Sequence, residues 1–297
     1  MADVRVLLIG STGVLGRATG PALLAAGHEV TGLAREAGRV AAVRAAGATP
    51  VVADLFDVKA MTMVLRGHDA VINLATRVPV GGKLMRASSW AETVRLRTEG
   101  SRVLVEAARA ADIGILVQEG TSLLYADGGE AELDEHARLD PLGPTAASDA
   151  AHAEVAAFTR DGRVGVRLRI ANVHGDDPLT RWVLQGARRG GPAYFGSPDG
   201  WITPIHPSDV GTAAVAALDA PSGVYNVGAT PLRKREFGET IAEALSRKKV
   251  RRLPRALSRG FVAHLARSQR VVSHELTEAT GWKPARPVLT AAWFPKP

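Results

Sequence analysis

The chain has 297 residues, 46% of them hydrophobic and 23% charged, with a mean hydropathy near zero; this balance excludes a disordered polymer and a membrane-embedded protein and suits one large or two modest globular domains. There is no cysteine, which removes disulfide scaffolds, thiol nucleophiles and thiolate metal sites. The net charge of +7 comes from 37 basic and 30 acidic residues. Basic residues gather at Arg233, Lys234, Arg235, Arg247, Lys248, Lys249, Arg251, Arg252, Arg255 and Arg259. Few aromatics interleave them and no zinc or ribonucleoprotein motif accompanies them, so a solvated face is expected rather than a nucleic-acid partner. No apolar stretch reaches the ~18 residues of a membrane span. Residues 4–9 are too short for a signal-peptide core and have no cleavage site behind them, so a soluble, cytoplasmic chain is expected.

Short apolar runs alternate with alanine-rich amphipathic stretches from the start. Residues 4–9 read as a strand, 13–27 as a helix, 29–33 as a strand, 38–46 as a helix, 50–53 as a strand, 58–66 as a helix and 70–74 as a strand. A long helix over 91–111, a strand at 114–118, a helix over 146–160 and a strand at 165–170 follow. Strand and helix alternating in this way predict an α/β chain with a doubly wound parallel sheet, a Rossmann fold. After residue 170 glycine and proline accumulate at 175–178, 190–200 and 204–207, with a helix expected over 208–220, a strand at 223–227 and a mostly helical remainder over 233–297. The division expected is a dinucleotide-binding domain from 1–170 plus 205–227 and a smaller, mostly helical C-terminal substrate domain from 171–204 plus 228–297.

The sharpest motif is Gly10-Ser11-Thr12-Gly13-Val14-Leu15-Gly16, at the turn from the first strand to the first helix. Glycines there let the backbone turn tightly and approach a pyrophosphate, which then meets the positive end of the helix. The Gly-x-x-Gly-x-x-Gly spacing resembles the extended and atypical branches of the short-chain dehydrogenase/reductase superfamily. Further matches run in the family's order along almost the whole chain: Asp54-Leu55 after the third strand, Asn73-Leu74-Ala75-Thr76 at the end of the fourth, residues 168–175 after the sixth, and His206-Pro207-Ser208-Asp209-Val210. The resemblance implies that Asp54 and Leu55 meet an adenine and that Ala75, with Thr76 beside it, lies at the adenosine ribose. An acidic residue closing the second strand holds the 2′-hydroxyl of NAD, whereas an arginine pairs with a 2′-phosphate. Here Ala34 occupies the acid's position and Arg35 follows, with Arg39 near. NADP(H) is therefore the preferred cofactor, with NAD(H) the alternative.

The resemblance also implies a tyrosine acting as general acid or base, a lysine four residues later that lowers its pKa, and a serine or threonine that orients the substrate carbonyl. The three tyrosines, at 125, 194 and 225, are followed at the fourth position by Gly129, Pro198 and Ala229, and no lysine lies between Lys83 and Lys234. Alignment places Thr145 at the tyrosine and Asp149 at the lysine, an exchange that reverses the local charge logic. Thr121, four residues before Tyr125, keeps the position of the family's serine or threonine. Tyr125 past the fifth strand, His174 with its near-neutral titration, and Asp149, three residues before His152 on one helix face, are the other catalytic candidates. Arg77, Trp90, Tyr194 and Trp201 are expected around a substrate pocket that suits a flat or aromatic ligand. The eight histidines are scattered without a His-Glu-x-x-His, so no metal is expected. The expected activity is an NADP(H)-dependent oxidoreductase, epimerase or dehydratase acting on a small aromatic or carbonyl-containing metabolite. A non-redox enzyme reusing the cofactor cleft and a catalytically inactive NADP(H) sensor are the alternatives. The family resemblance implies a homodimer through the helices at 91–111 and 146–160.

Overall fold

The computed structural model describes residues 3–258 and 262–295; Arg259 of the basic cluster and Lys296 lie outside the described residues. The first half runs β1 (Arg5–Ile9), α1 (Val14–Ala25), β2 (Glu29–Ala34), α2 (Val40–Ala45), β3 (Thr49–Val52), α3 (Val58–Leu65) and β4 (Ala70–Asn73). The long helix expected next is three consecutive pieces: α4 (Ala91–Arg95), a π-helical turn (Leu96–Gly100) and α5 (Ser101–Ala110). Then come β5 (Ile115–Gln118), β6 (Glu132–Leu133), α6 (Ala146–Phe158), β7 (Val164–Ile170), β8 (Asn172–Val173), α7 (Pro178–Arg188), β9 (Pro192–Phe195), β10 (Trp201–Ile202), β11 (Pro204–Ile205), α8 (Pro207–Ala216) and β12 (Gly223–Val227). The last part holds β13 (Leu232–Arg233), α9 (Lys234–Ala244), β14 (Arg251–Leu253), α10 (Val262–Leu265), β15 (Arg270–Val271) and α11 (His274–Thr280).

Seven strands form one parallel sheet in the order β12-β7-β5-β4-β1-β2-β3. Parallel strands covered on both faces read as continuous apolar runs, because successive side chains serve opposite cores. In β1, Val6 and Leu8 join the cluster under α1 and α8, and Leu7 and Ile9 join the one with Met61, Leu104 and Phe158 under α3, α5 and α6. The strand order reverses beside β1, where β2 and β4 flank it. A crevice therefore opens at the carboxyl ends, the place where such sheets bind ligands.

Two stretches are less helical than their composition suggests. The helix expected over 208–220 ends at Ala216, where Leu218 and Asp219 bond back three residues instead of four and Pro221 follows. Beyond residue 233 only α9, α10 and α11 are α-helical among the described residues, with single 3-10 turns at Arg255–Leu257 and Ala291–Trp293. Pro254, Pro284, Pro287 and the left-handed Gly281 interrupt the rest, and short strands pair outward, β13 with β10, β14 with β9 and β15 with β6. Asp209 ties this last segment to α8. Its carboxylate, 1% exposed, accepts from the backbone N–H of Ala285 and Arg286 at 3.0 and 3.1 Å.

Candidate active site

The turn between β1 and α1 is a cradle that tolerates no side chain at Gly10 or Gly16. Gly10 has φ +81°, and a Cβ added to it meets the Leu74 carbonyl at 2.8 Å; one added to Gly16 meets the Gly10 oxygen at 2.1 Å. The Gly13 N–H donates to the Gly10 oxygen at 2.9 Å, and Gly13 caps α1 without any side-chain bond to the first-turn amides. The Ser11 hydroxyl turns inward and donates to the Leu33 carbonyl at 3.3 Å, so Ser11 serves the loop through its backbone. An uncapped helix start reached by bare backbone has the shape and the partial charge for a pyrophosphate. The residues fit a dinucleotide.

Two cavities meet at this cradle. The smaller, about 440 Å³, takes Gly10, Thr12 and Gly13 from the loop, Asp54 and Leu55 after β3, and Ala75 and Thr76 after β4. The Ala75 N–H is held by the Asn73 carboxamide oxygen at 3.1 Å, and Asn73 in turn donates to Gln118 at 2.9 Å, which fixes the end of β4. Arg35 and Arg39 stand at the rim of this cavity, both exposed. Arg35 donates to Glu92 at 2.6 Å, and the other Glu92 oxygen accepts from Arg77, also at 2.6 Å. These two guanidiniums, Arg35 first, hold the Glu92 carboxyl below its ordinary range.

The larger cavity, about 790 Å³, opens from Gly13, Val14 and Leu15 and extends to Tyr194 and Trp201. Apolar and aromatic walls predominate, among them Leu84, Trp90, Trp182, Phe195, Phe237 and Leu257. Trp90 is 5% exposed and its indole donates to the Leu84 carbonyl at 3.0 Å. The Trp201 indole donates to Glu130 at 3.1 Å, under the guanidiniums of Arg233 and Arg270. Thr121 reaches the cavity from the end of β5. Its oxygen accepts from the Leu123 N–H at 3.2 Å, which leaves its hydroxyl hydrogen free to orient a ligand. His174 also lines it, with its ring 4.8 Å from that of Phe237. Burial pushes the imidazole down to about 4, so it is neutral at pH 7 and does not titrate near neutrality as its residue type suggests.

Three other candidates present no free group to either cavity. Tyr125 is fully buried and does not reach either cavity. Its hydroxyl donates to Asn226 at 2.8 Å and accepts from Arg169 at 2.8 Å, and burial raises its pKa. The helical turn at Ser122–Leu124 rotates it inward after Thr121. Tyr125→Phe leaves Arg169 and Asn226 each short of a partner, and we expect it to lower stability by about 1–3 kcal/mol while NADPH affinity stays unchanged, checked by urea unfolding and cofactor titration. Asp149 is exposed: the inward stripe of α6 is Ala147, Ser148, Ala151, His152 and Val155, so Asp149 and His152 lie on different faces. Thr145 does line the larger cavity, but its hydroxyl both donates to the Leu142 carbonyl and accepts from the Leu142 N–H, at 3.0 Å each.

Several polar residues at the larger cavity are not apparent from residue order, among them Arg97, Glu119, Gln269 and Lys234, the last expected on a solvated face and buried instead. Arg97, in the π turn, and Glu119, just past β5, form a buried ion pair, 6% and 2% exposed, with two bonds of 2.8 Å. Lys234, 2% exposed, donates to the carbonyls of Phe195, Leu265 and Arg267. Burial lowers it to about 8, and at pH 7 it is still the ammonium that serves all three acceptors. Gln118 separates Glu119 from the apolar residues 115–117, so residue order gives Glu119 no mark that sets it apart from a surface charge.

Comparison with known proteins agrees with this geometry. The model of the NAD dependent epimerase/dehydratase family matches residues 6–228. A curated relative from a Streptomyces species, named 3-diazoavenalumate denitrifying reductase, is 32% identical over 305 aligned residues, covering 96% of this chain and 97% of the relative. The UDP-glucose 4-epimerase of Streptomyces lividans is 26% identical over 80% of each chain. Among solved structures, UDP-glucose 4-epimerase of Thermotoga maritima superposes with a TM-score of 0.78 at 19% identity, over 97% of this chain and 96% of that one. The dTDP-glucose 4,6-dehydratase of Streptomyces venezuelae with bound NAD gives 0.78 at 21%, over 97% and 94%. At these identities the structures attest the shared fold.

Proposed function

The chain belongs to the NAD dependent epimerase/dehydratase family, and from that premise we propose that it is an NADP(H)-dependent reductase of a small, flat aromatic metabolite that needs no proton from the enzyme. The observation that carries this reading is the larger cavity. It opens off the glycine cradle, its walls are largely apolar and aromatic, and the chain has no tyrosine with a lysine four residues later to work a proton relay. The bound dinucleotide supplies hydride. The chain's own residues hold the pyrophosphate at the α1 start, orient the acceptor through Thr121 and exclude water with Trp90, Phe195 and Phe237. An acceptor that carries its own leaving group suits such a site. With an aryl diazonium, hydride bonds to the ring carbon, the carbon–nitrogen bond breaks, and dinitrogen leaves with that bond's electron pair. Charge and atoms balance without a proton. A relative aligned over 96% of this chain is named for a diazo substrate, for loss of nitrogen and for reduction, which supports this chemistry over sugar epimerisation.

The preference for NADP(H) rests on Arg35 and Arg39 at the smaller cavity and on Ala34 in the position of an acid. NADPH is expected to bind at least tenfold more tightly than NADH, and Arg35→Ala to remove most of that gap, since a hydrogen bond to a charged group is worth about 1.5–3 kcal/mol. Equal dissociation constants for the two cofactors rule the preference out. The activity is tested by following NADPH consumption with aryl diazonium carboxylates, quinones and aromatic aldehydes. Turnover with the first class that falls in Thr121→Ala supports the proposal. Turnover unchanged in both Thr121→Ala and His174→Ala rejects the site, and tight NADPH binding without turnover of any class makes the protein a dinucleotide sensor.

A further inference from the structure

We propose that Arg97 receives an anionic oxygen of the substrate, a phenolate or carboxylate on the aromatic ring, and so supplies at the cavity floor the positive charge that the missing lysine leaves out. The proposal rests on the reading of the larger cavity as an aromatic-substrate site. Four observations converge on this residue. Arg97 and Glu119 line that cavity together with Gly120 and Thr121, at the carboxyl edge of the sheet. Arg97 sits in the π turn Leu96–Gly100, a local widening of the helix that recurs at functional sites because it re-aims side chains. Its Nε and Nη2 are both taken by Glu119 at 2.8 Å, and Nη1 hydrogen bonds to nothing among the described residues. The pair is buried beside an apolar cavity, where two apolar side chains of similar volume are often as stable or more so, so core stability alone is a poor reason for these two charges.

Glu119 grips two corners of the planar guanidinium and thereby fixes the direction of the third. The neighbouring cations are otherwise engaged. Lys234 spends its three donors on carbonyls, Arg267 is bonded to Asp140 and to the Tyr125 carbonyl, and Arg77 is exposed and bonded to Glu92. His152, packed behind Gly120, is held neutral by burial and by the charges of Arg169, Arg167 and Arg97.

The test uses 4-nitrophenol, whose phenolate is coloured and whose neutral form is not, with the full chain saturated with NADP+. The bound probe is expected to ionise about one pH unit below the free probe, a tenfold preference for the anion. Arg97→Met alone strands a buried carboxylate, so the informative variant is the double Arg97→Met/Glu119→Leu, with thermal melting to establish that it folds. That variant is expected to lose the tenfold preference, and Arg97→Lys to keep part of it. A folded double variant that binds and ionises the probe as the wild type does overturns the proposal, as does a wild type that binds only the neutral phenol or no probe at all. Loss of the reductase reading has a different signature, absence of NADPH consumption with the probe shift intact.

Discussion

Gly16→Ala is expected to weaken NADPH binding about a hundredfold or more and to lower unfolding stability by about 1–3 kcal/mol. The added methyl would stand 2.1 Å from the Gly10 oxygen and 2.6 Å from the Ser11 Cα. Both are backbone atoms of the loop itself, so no side chain can swing aside to relieve the contact. The loop must move, and with it the amides at the α1 start that would hold a dinucleotide's phosphates. Each charge-assisted hydrogen bond lost there is worth about 1.5–3 kcal/mol, one to two decades of affinity. Gly38→Ala is the control, because a Cβ at Gly38 meets nothing within 4 Å. Fluorescence titration with NADPH and urea melts of the two variants decide the matter. Wild-type affinity in Gly16→Ala means that the cradle does not hold the dinucleotide.

Mild acid is the second large effect, and its sign follows from two histidines, His152 buried and His174 half-buried at the larger cavity. Burial, aided by the charges of Arg169, Arg167 and Arg97, lowers His152 to about 3, and burial lowers His174 to about 4. In the unfolded chain both take up a proton near the ordinary histidine value of about 6.5. Between pH 6.5 and 4 the unfolded state therefore binds more protons than the folded one, and stability falls as pH falls. The slope is about 1.4 kcal/mol per pH unit per histidine, so roughly 2 kcal/mol each between pH 6.5 and 5. The His174 contribution levels off near pH 4 and that of His152 near pH 3. Urea midpoints of wild type and His152→Leu at pH 7 and pH 5 isolate one histidine from the carboxylates, which titrate alike in both proteins. The variant is expected to lose about 2 kcal/mol less than wild type on acidification. Parallel pH dependences would show that His152 carries no such linkage.

Features written in short-range pattern were legible from residue order. The seven sheet strands follow from apolar runs, and the glycine cradle from three glycines at a strand-to-helix turn, because local backbone sterics decide both. Side-chain direction at the site was legible only in part. Thr121 and Tyr125 are four residues apart, but the helical turn between them sends one to the cavity and the other into the core. Asp149 was read by spacing to His152, whereas the phase of α6 is set by which face the sheet covers, and that places Ser148 and His152 inward. Arg97 and Glu119 were out of reach because they meet across 22 residues and three elements, and each alone reads as an ordinary surface charge.

Tyr125 bears on the order in which the molecule is assembled. Its carbonyl accepts from Arg267 at 2.9 Å and from Gln269 at 2.7 Å, partners 142 and 144 residues further along. The glycine cradle closes against Leu74 and Ala75, and Gln118, 45 residues after Asn73, holds that end of β4. The loop that carries Thr121 is also held by nearer partners, with the Leu124 carbonyl accepting from the Asp140 N–H at 2.8 Å and the Ala126 N–H donating to the Arg138 carbonyl at 3.0 Å, but contacts of long span such as those to Arg267 and Gln269 cost more chain entropy to form. The glycine cradle thus depends on partners close to it in the chain, whereas the loop beside the larger cavity is fully moored only by contacts that span 142 and 144 residues.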